Sequence, residues 1–270
     1  MAKIYHYTTI DTLALIMLNK TIRFNRLDLV DDKEEALYGS GPFDVKVSKN
    51  VFVSCWTKNP IENQDLWQRY TKGNRGVRIA LDEEMFQTYQ INDHFKSFFP
   101  EWFKVIEDCV FPLPVNEAKL YDVKYVDNNE ELIRNSVKYE NDYINFKIQE
   151  LGIYKKKIEW EQQEECRFKL FAFPSTPMAS NKINSHLVND MINAMETFNS
   201  LLMMNHQIGL EHYDMPLKEN VLDNIEVTMG PNTTYEDKAK VCRILYPCSI
   251  SRLFSNRRVF DSKLKMKRNR

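Results

Sequence analysis

Apolar and polar positions in this chain switch repeatedly between a period of two and a period near 3.6. The opening "KIYHYT" has the bulky Ile4, Tyr5 and Tyr7 of a half-buried strand. Asp11 stands where a helix cap belongs, and Leu13, Leu15, Ile16 and Leu18 then predict a helix ending near Asn19 and Lys20. "TIRFN" returns as a second strand. In "NVFVSCW" Val51, Val53 and Cys55 share one strand face, with Phe52, Ser54 and Trp56 on the other. "PIENQDLWQRY" predicts a helix that puts Gln64, Trp67 and either Gln68 or Tyr70 on one side, and "GVRIALD" a strand after the turn "KGNRG". From 82 to 150 the pattern predicts mainly helix, rich in aromatics and broken by "FPLP" and a strand "KLYDVKYV".

A strand centred on "EECRFKLFAF" follows, then a Met- and Asn-rich helical insertion over 175–212 that interrupts the alternation. "NIEVTMGP" and "SRLF" predict strands around the helix "TYEDKAKVCRIL". Strands and helices in irregular order predict an α+β fold in a single domain spanning 1–270.

Composition narrows the chemistry. With 43% hydrophobic residues and 28% charged, the chain can bury a sizeable core. No apolar run approaches the ~18 to 20 residues of a membrane span, and the N-terminus lacks a signal-peptide pattern, so a cytoplasmic protein without membrane contact is expected. Cys55, Cys109, Cys166, Cys242 and Cys248 form no CxxC pair, and the histidines show no HxxxH spacing, so no disulfide framework and no metal site are expected. There are only 7 glycines and no GxGxxG or GxxxxGK[ST], which argues against Rossmann and P-loop nucleotide sites.

The formal net charge of -1 is unevenly spread: a basic C-terminal tail over 255–270 faces an acidic remainder. Such a tail suits RNA, DNA or an acidic partner, or is a solvated terminus.

Two places carry candidate chemistry. His6, inside a strand, is either a satisfied core residue or part of a site. In "EWEQQEECRFKLF" strand alternation sets Gln163, Glu165 and Arg167 on one face, with Glu164, Cys166 and Phe168 on the other. A carboxylate on a buried face needs a partner, and the bland alternative is a surface strand with a Glu165–Arg167 cross-link. A one-residue slip in register would exchange Glu165 for Glu164.

In order along the chain, "YHYTTIDTLALIMLNKTIRF", "DDKEE", "FVSCWT", "LWQRYTKGNRGVRIALD" and "WEQQEECRF" resemble the bacterial proteins grouped as domain of unknown function 2971. That family in turn resembles the ADP-ribosyltransferase superfamily, above all the DarT-type toxins with their "YHIT"-like first strand. The resemblance implies a split, mostly antiparallel sheet with flanking helices, holding NAD as ADP-ribose donor without a glycine-rich loop. It implies a transferase of the pentosyl glycosyltransferase class, in a toxin or antiviral-defence setting with an antitoxin as partner.

Residue by residue, the resemblance gives His6 a ribose hydroxyl of NAD, with Tyr7 and Thr8 beside it in the cofactor-binding set. Trp67 and Tyr70 would wall the nicotinamide; beside them Arg23, Arg26 and Arg78 are candidates for the pyrophosphate, Arg26 first. Glu165 would hold the nicotinamide-ribose 2'-hydroxyl and steady the positive charge that develops as nicotinamide leaves. Gln163 would help choose the acceptor, a macromolecule for which the basic tail favours RNA or DNA over protein. This sequence departs from the family at Val30-Asp31-Asp32, where Asn-Asp-Pro is usual, and at Gln163, where glutamate is frequent. Two rivals stand beside this reading: a non-catalytic nucleotide-binding module, and a metal-dependent nuclease built on Asp31, Asp32, Glu34 and Glu35.

Overall fold

Thr9 caps the first helix of the computed structural model, two residues before the predicted Asp11. Its backbone is still extended and its hydroxyl accepts the Thr12 N–H at 3.1 Å. Asp11 falls inside the first turn, where a carboxylate complements the helix dipole, and pairs with Lys240 at 2.6 Å. This helix, α1 (Ile10–Asn19), buries Ile10, Leu13 and Ile16 and leaves Leu15 and Leu18 exposed.

The structure describes residues 2–35, 47–89, 103–106, 109–114, 117–140, 143–147, 149–174, 208–247 and 257–264. The first half contains β1 (Lys3–Thr8), β2 (Thr21–Arg26), β3 (Val51–Thr57), α2 (Gln64–Tyr70) and β4 (Val77–Asp82). Then come β5 (Phe103–Ile106), β6 (Cys109–Pro112), β7 (Leu120–Asp122), β8 (Lys124–Val126), α3 (Asn129–Ser136), β9 (Val137–Glu140) and β10 (Tyr143–Phe146). The chain continues through β11 (Tyr154–Lys156), α4 (Lys157–Trp160), β12 (Glu165–Phe171) and β13 (Phe173–Pro174). Its described end holds β14 (His212–Pro216), β15 (Glu226–Met229), α5 (Tyr235–Leu245) and β16 (Arg258–Asp261).

The fold is α+β: a nine-stranded, mostly antiparallel sheet runs β14-β2-β3-β1-β4-β15-β16, with β12 on β3 and β7 on β12. Only β15 and β16 pair in parallel within it. The mainly helical reading of 82–150 is corrected to short strands with α3 as the described helix. Cys109, Phe111 and Leu113 are buried at a period of two, and Phe111 packs edge-on against Phe52, so tertiary burial decides the conformation of that aromatic stretch. Of the predicted insertion, 175–207 lies outside the described residues, and its last residue, His212, begins β14. "SRLF" also lies outside them, as do 255, 256 and 265–270 of the basic tail.

The two faces of the sheet are packed differently. One carries the main core, in which Ile4, Phe24, Phe52, Trp56, Ile79 and Phe168 meet Leu13 and Ile16 of α1 and Val241 of α5. The other carries two smaller clusters, one around Val51, Val53, Leu151 and Ile153, the other of Tyr7, Leu66 and Trp67.

The decisive feature is a split. On one edge β3 pairs with β12 along its length, Glu165↔Thr57 through Phe171↔Val51. On the opposite edge it is shared: β1 meets it at Tyr5↔Thr57, and β2 only at Asn25↔Val53 and Arg26↔Phe52. Between those pairings β1 and β2 diverge around α1, leaving the stretch about Cys55 without a strand ladder on that side.

Candidate functional site

His6 is the first residue of β1 beyond its pairing with β3. Its Nδ1 lies 2.8 Å from the Cys55 carbonyl, so the ring donates the hydrogen bond that a neighbouring strand would otherwise supply. The side chain lies on the main-core face, its ring 5.1 Å from that of Trp56. Burial lowers the His6 pKa and outweighs the opposing effect of the Cys55 bond. The imidazole is therefore neutral, with Nδ1–H as donor and Nε2 left as acceptor.

Register pairing sends the Arg167 side chain to the opposite face with Cys55, and Glu165 with Thr57. Arg167 is completely buried and reaches two carboxylates: Nε contacts Glu165 Oε1, while Nη1 and Nη2 grip Glu35, the latter at 2.9 Å. Its Nη1 also donates to the Gly152 carbonyl at 2.8 Å. Lys155, from β11, lies 2.7 Å from Glu165 Oε2 and 3.3 Å from Glu35 Oε1, with its ammonium 4.3 Å from the centre of the Trp160 ring. The result is a neutral buried quartet of two carboxylates and two cations.

Burial alone would raise the Glu165 pKa, but Arg167 and Lys155 override it and hold the group near 2, fully ionised. The Cys55 thiol lies against that carboxylate; burial, reinforced by Glu165, pushes its pKa well up and keeps it protonated.

The register question is resolved in favour of Glu165. Glu164 has a left-handed backbone at φ 45° and points outward, where Asn59 Nδ2 donates to it at 2.9 Å. Thr57 holds the Glu164 carbonyl, and Asn63 Nδ2 the Gln162 carbonyl at 2.7 Å, so the loop before α2 fixes the turn that aims Glu165 inward. Tyr125 accepts the Glu165 N–H at 2.9 Å from the far side.

The other expected residues have distinct placements. Tyr70, half-buried at the end of α2, donates to Asp31 at 2.9 Å; burial first, then Asp31, raises its pKa so that it stays a phenol. It borders the quartet and is the aromatic of α2 with surface to offer a ligand. Trp67 has none: it is fully buried, edge-on to Tyr7 at 4.9 Å, with Nε1 donating to Glu62 at 3.0 Å. Tyr7 is buried too, its hydroxyl oxygen accepting the Asn63 N–H at 2.9 Å, and Thr8 is buried where β1 ends. The Arg26 guanidinium is taken up by Asp28 and by the Ile208, Gly209 and Leu210 carbonyls. Gln163 is buried and turns toward Asp65 at 3.5 Å, away from Glu165.

The structure thus joins Tyr70 and Glu165 on one face, and links His6 to them only through the backbone and thiol of Cys55. Lys155 and Tyr125 are the residues that sequence reasoning missed. "YKKKIEW" reads as a solvated basic run, and nothing local marks its first lysine as buried. The acidic run of the nuclease alternative is dispersed: Asp31 meets Tyr70, Glu34 meets Lys156 at 2.6 Å, and Glu35 meets Arg167 and Lys155. Among the described residues no three His, Cys, Asp or Glu side chains converge on a metal position. No helix among them is long and apolar enough to cross a membrane.

Residues 66–168 match a family described as protein of unknown function, DUF2971. Among curated proteins, and among solved structures, nothing matches this chain.

Proposed function

We propose that the chain cleaves the bond between nicotinamide and ribose in NAD and passes ADP-ribose to a macromolecule. The observation that carries this reading is the split in the sheet, with a neutral first-strand histidine at its mouth and an ionised glutamate heading β12 beside Tyr70. When the C–N bond breaks, its electron pair leaves with nicotinamide and positive charge grows on the ribose. A fixed carboxylate helps only as far as it meets that charge more strongly in the transition state than before. Glu165 is such a carboxylate, anchored by Arg167 through one oxygen.

Its other oxygen is held by Lys155, which already reaches Glu35. Transfer of the ammonium fully to Glu35 frees Oε2 for a ribose hydroxyl without stranding a buried charge. Tyr70 offers a flat ring for nicotinamide, while His6, on the opposite face of the sheet, acts through its hydrogen bond to the Cys55 carbonyl and not by contact with NAD. Arg26, bound to three carbonyls and Asp28, is left out of this assignment.

The paired state of Glu165 also favours a second reading, a module that binds a nucleotide without turning it over. Nicotinamide release from NAD, by wild type and by Glu165→Gln, decides between them when run with RNA, DNA and cell lysate as acceptors. Release by wild type and a loss of about 10² or more in the variant supports the transferase. NAD binding by calorimetry with no release under any condition supports the module. The toxin or antiviral setting, with an antitoxin, belongs to the first reading; growth arrest on expression, relieved by Glu165→Gln, tests it.

A further inference from the structure

Asp32 is only 4% exposed, and its two oxygens are used unequally. Oδ1 accepts the Glu34 N–H at 3.0 Å, whereas Oδ2 has no hydrogen-bond partner among the described residues. A buried carboxylate in that state weighs against folding unless its charge serves something else. It is acted on by Glu34 and Glu35 from its own segment and by Lys155 and Lys156 from β11, with Glu35 the strongest. Its sequence neighbours are engaged elsewhere, Asp31 with Tyr70 and Lys33 with the Asp28 and Val30 carbonyls.

Of the two lysines, Lys156 is committed to Glu34 at 2.6 Å, while Lys155 stands between two carboxylates. Its choice is nearly balanced. Arg167 holds both rivals, Glu165 through Nε and Glu35 through Nη1 and Nη2, and the Trp160 ring, 4.3 Å from the ammonium, attracts it without choosing between them. The contact with Glu165 is the shorter, 2.7 Å against 3.3 Å. A negative charge beside Glu35 tips such a balance toward Glu35, and Asp32, three residues earlier in the same segment, places one there. Burial and Glu35 together raise the Asp32 pKa to about 6, so this charge is absent in mild acid and present at pH 7.5.

We infer that Asp32 is a positioning residue: its charged form draws the Lys155 ammonium from Glu165 toward Glu35 and so opens Glu165 Oε2 to a ribose hydroxyl. The consequence for a ligand rests on the NAD site proposed above; the movement of Lys155 does not. By reciprocity, a ligand that takes Oε2 pushes the ammonium toward Asp32, so binding releases a proton near pH 6.

Two measurements test this. The scalar coupling between Lys155 15Nζ and Glu165 13Cδ, carried by their hydrogen bond, reads the position of the ammonium directly. It is expected to fall between pH 5 and 7.5 in wild type, with a midpoint near 6, and to hold constant in Asp32→Asn. A coupling that is flat in wild type, or that falls equally in Asp32→Asn, would overturn the inference. Calorimetry with ADP-ribose reads the consequence. Affinity is expected to be at least about fivefold tighter at pH 7.5 than at pH 5 in wild type, and weak and independent of pH in Asp32→Asn. The same pH dependence in both proteins would also overturn it. Absence of ADP-ribose binding at every pH, beside a coupling that titrates only in wild type, removes the NAD site and leaves the control of Lys155 by Asp32 standing.

Discussion

The ammonium of Lys155 lies 2.7 Å from Glu165 Oε2 while remaining 3.3 Å from Glu35, so one lysine closes a buried circuit whose other cation is Arg167. Removing it leaves two carboxylates to a single guanidinium in a water-poor interior. Lys155→Met is expected to cost about 3 to 5 kcal/mol, since breaking a buried pair strands a charge. Lys156→Met, on the more exposed pair with Glu34, should cost far less. Urea denaturation of both variants measures the difference.

The same quartet sets an acid limit. Glu165 titrates near 2 in the folded chain against its ordinary 4.5, so the folded state binds fewer protons between those values. Its contribution is complete above about 4.5 and is lost as the pH falls toward 2. Glu165→Gln should therefore be markedly less stable than wild type at pH 7, and the gap should narrow below pH ~4. Parallel denaturation curves at several pH values test this, and a gap that stays constant into acid would count against the ionised, doubly paired glutamate.

Asp32 behaves in the opposite sense. Burial, then the nearby Glu35, raises its pKa to about 6, and Oδ2 has no hydrogen-bond partner among the described residues although Oδ1 accepts the Glu34 N–H at 3.0 Å. A carboxyl raised in the folded state takes up a proton on folding, so its charge weighs on stability above about 6 and the burden lifts as pH falls toward 3.8. Asp32→Asn keeps the Oδ1 acceptor and removes the charge. It is expected to stabilise the chain at pH 7.5 by on the order of 1 kcal/mol, allowing for solvent screening, with little gain at pH 4. Thermal melts at both values check it.

How far the sequence carried this picture depends on how local each signal was. The strands of His6, Cys55 and Glu165 follow from alternation, because each packs one face of one sheet. The helix read over "PIENQDLWQRY" is likewise present, but it starts only at Gln64, where the Asn63 side chain caps it, and it buries Leu66 with Trp67. The 82–150 stretch misled, because the same aromatic and β-branched residues serve either period until burial against Phe52 chooses one. Beyond Arg167, whose link to Glu165 strand alternation already offered, the rest of the quartet was illegible for another reason. Lys155 and Glu35 reach it from separate segments, and only tertiary structure gives a lysine run or an acidic run one buried member. Trp67 and Arg26 show the converse, since residue types suited to ligand contact are used up by Glu62 and by three backbone carbonyls.

His6 offers a spectroscopic check on the split. With Nδ1 donating to Cys55 and burial lowering its pKa below the usual 6.5, it should be neutral at pH 7.5, protonated at Nδ1 alone. Long-range 15N–1H correlation spectra distinguish this tautomer from the Nε2–H form. His6→Ala strands the Cys55 carbonyl and is expected to cost about 1 to 3 kcal/mol. His6→Asn, with a shorter donor, should recover part of that loss.

A tight turn carries the chain from α2 to β4 past the end of β1. Lys72, Gly73 and Asn74 all adopt positive φ, and the chain then closes at Gly76. A Cβ on Gly76 would stand 2.2 Å from the Thr8 carbonyl oxygen and 2.6 Å from Thr71 Cβ, and the first of these is backbone that cannot swing aside. By contrast, a Cβ on Gly73 would meet nothing within 4 Å, and alanine there meets only the strain of φ 73°. Gly76→Ala is therefore expected to cost more than about 3 kcal/mol, and Gly73→Ala only about 1 to 2 kcal/mol. Because the clash falls on Thr8, Gly76→Ala should also disturb β1 as far as His6. Hydrogen exchange at the β1 amides, compared between the two variants, shows whether the turn braces the strand at the mouth of the split.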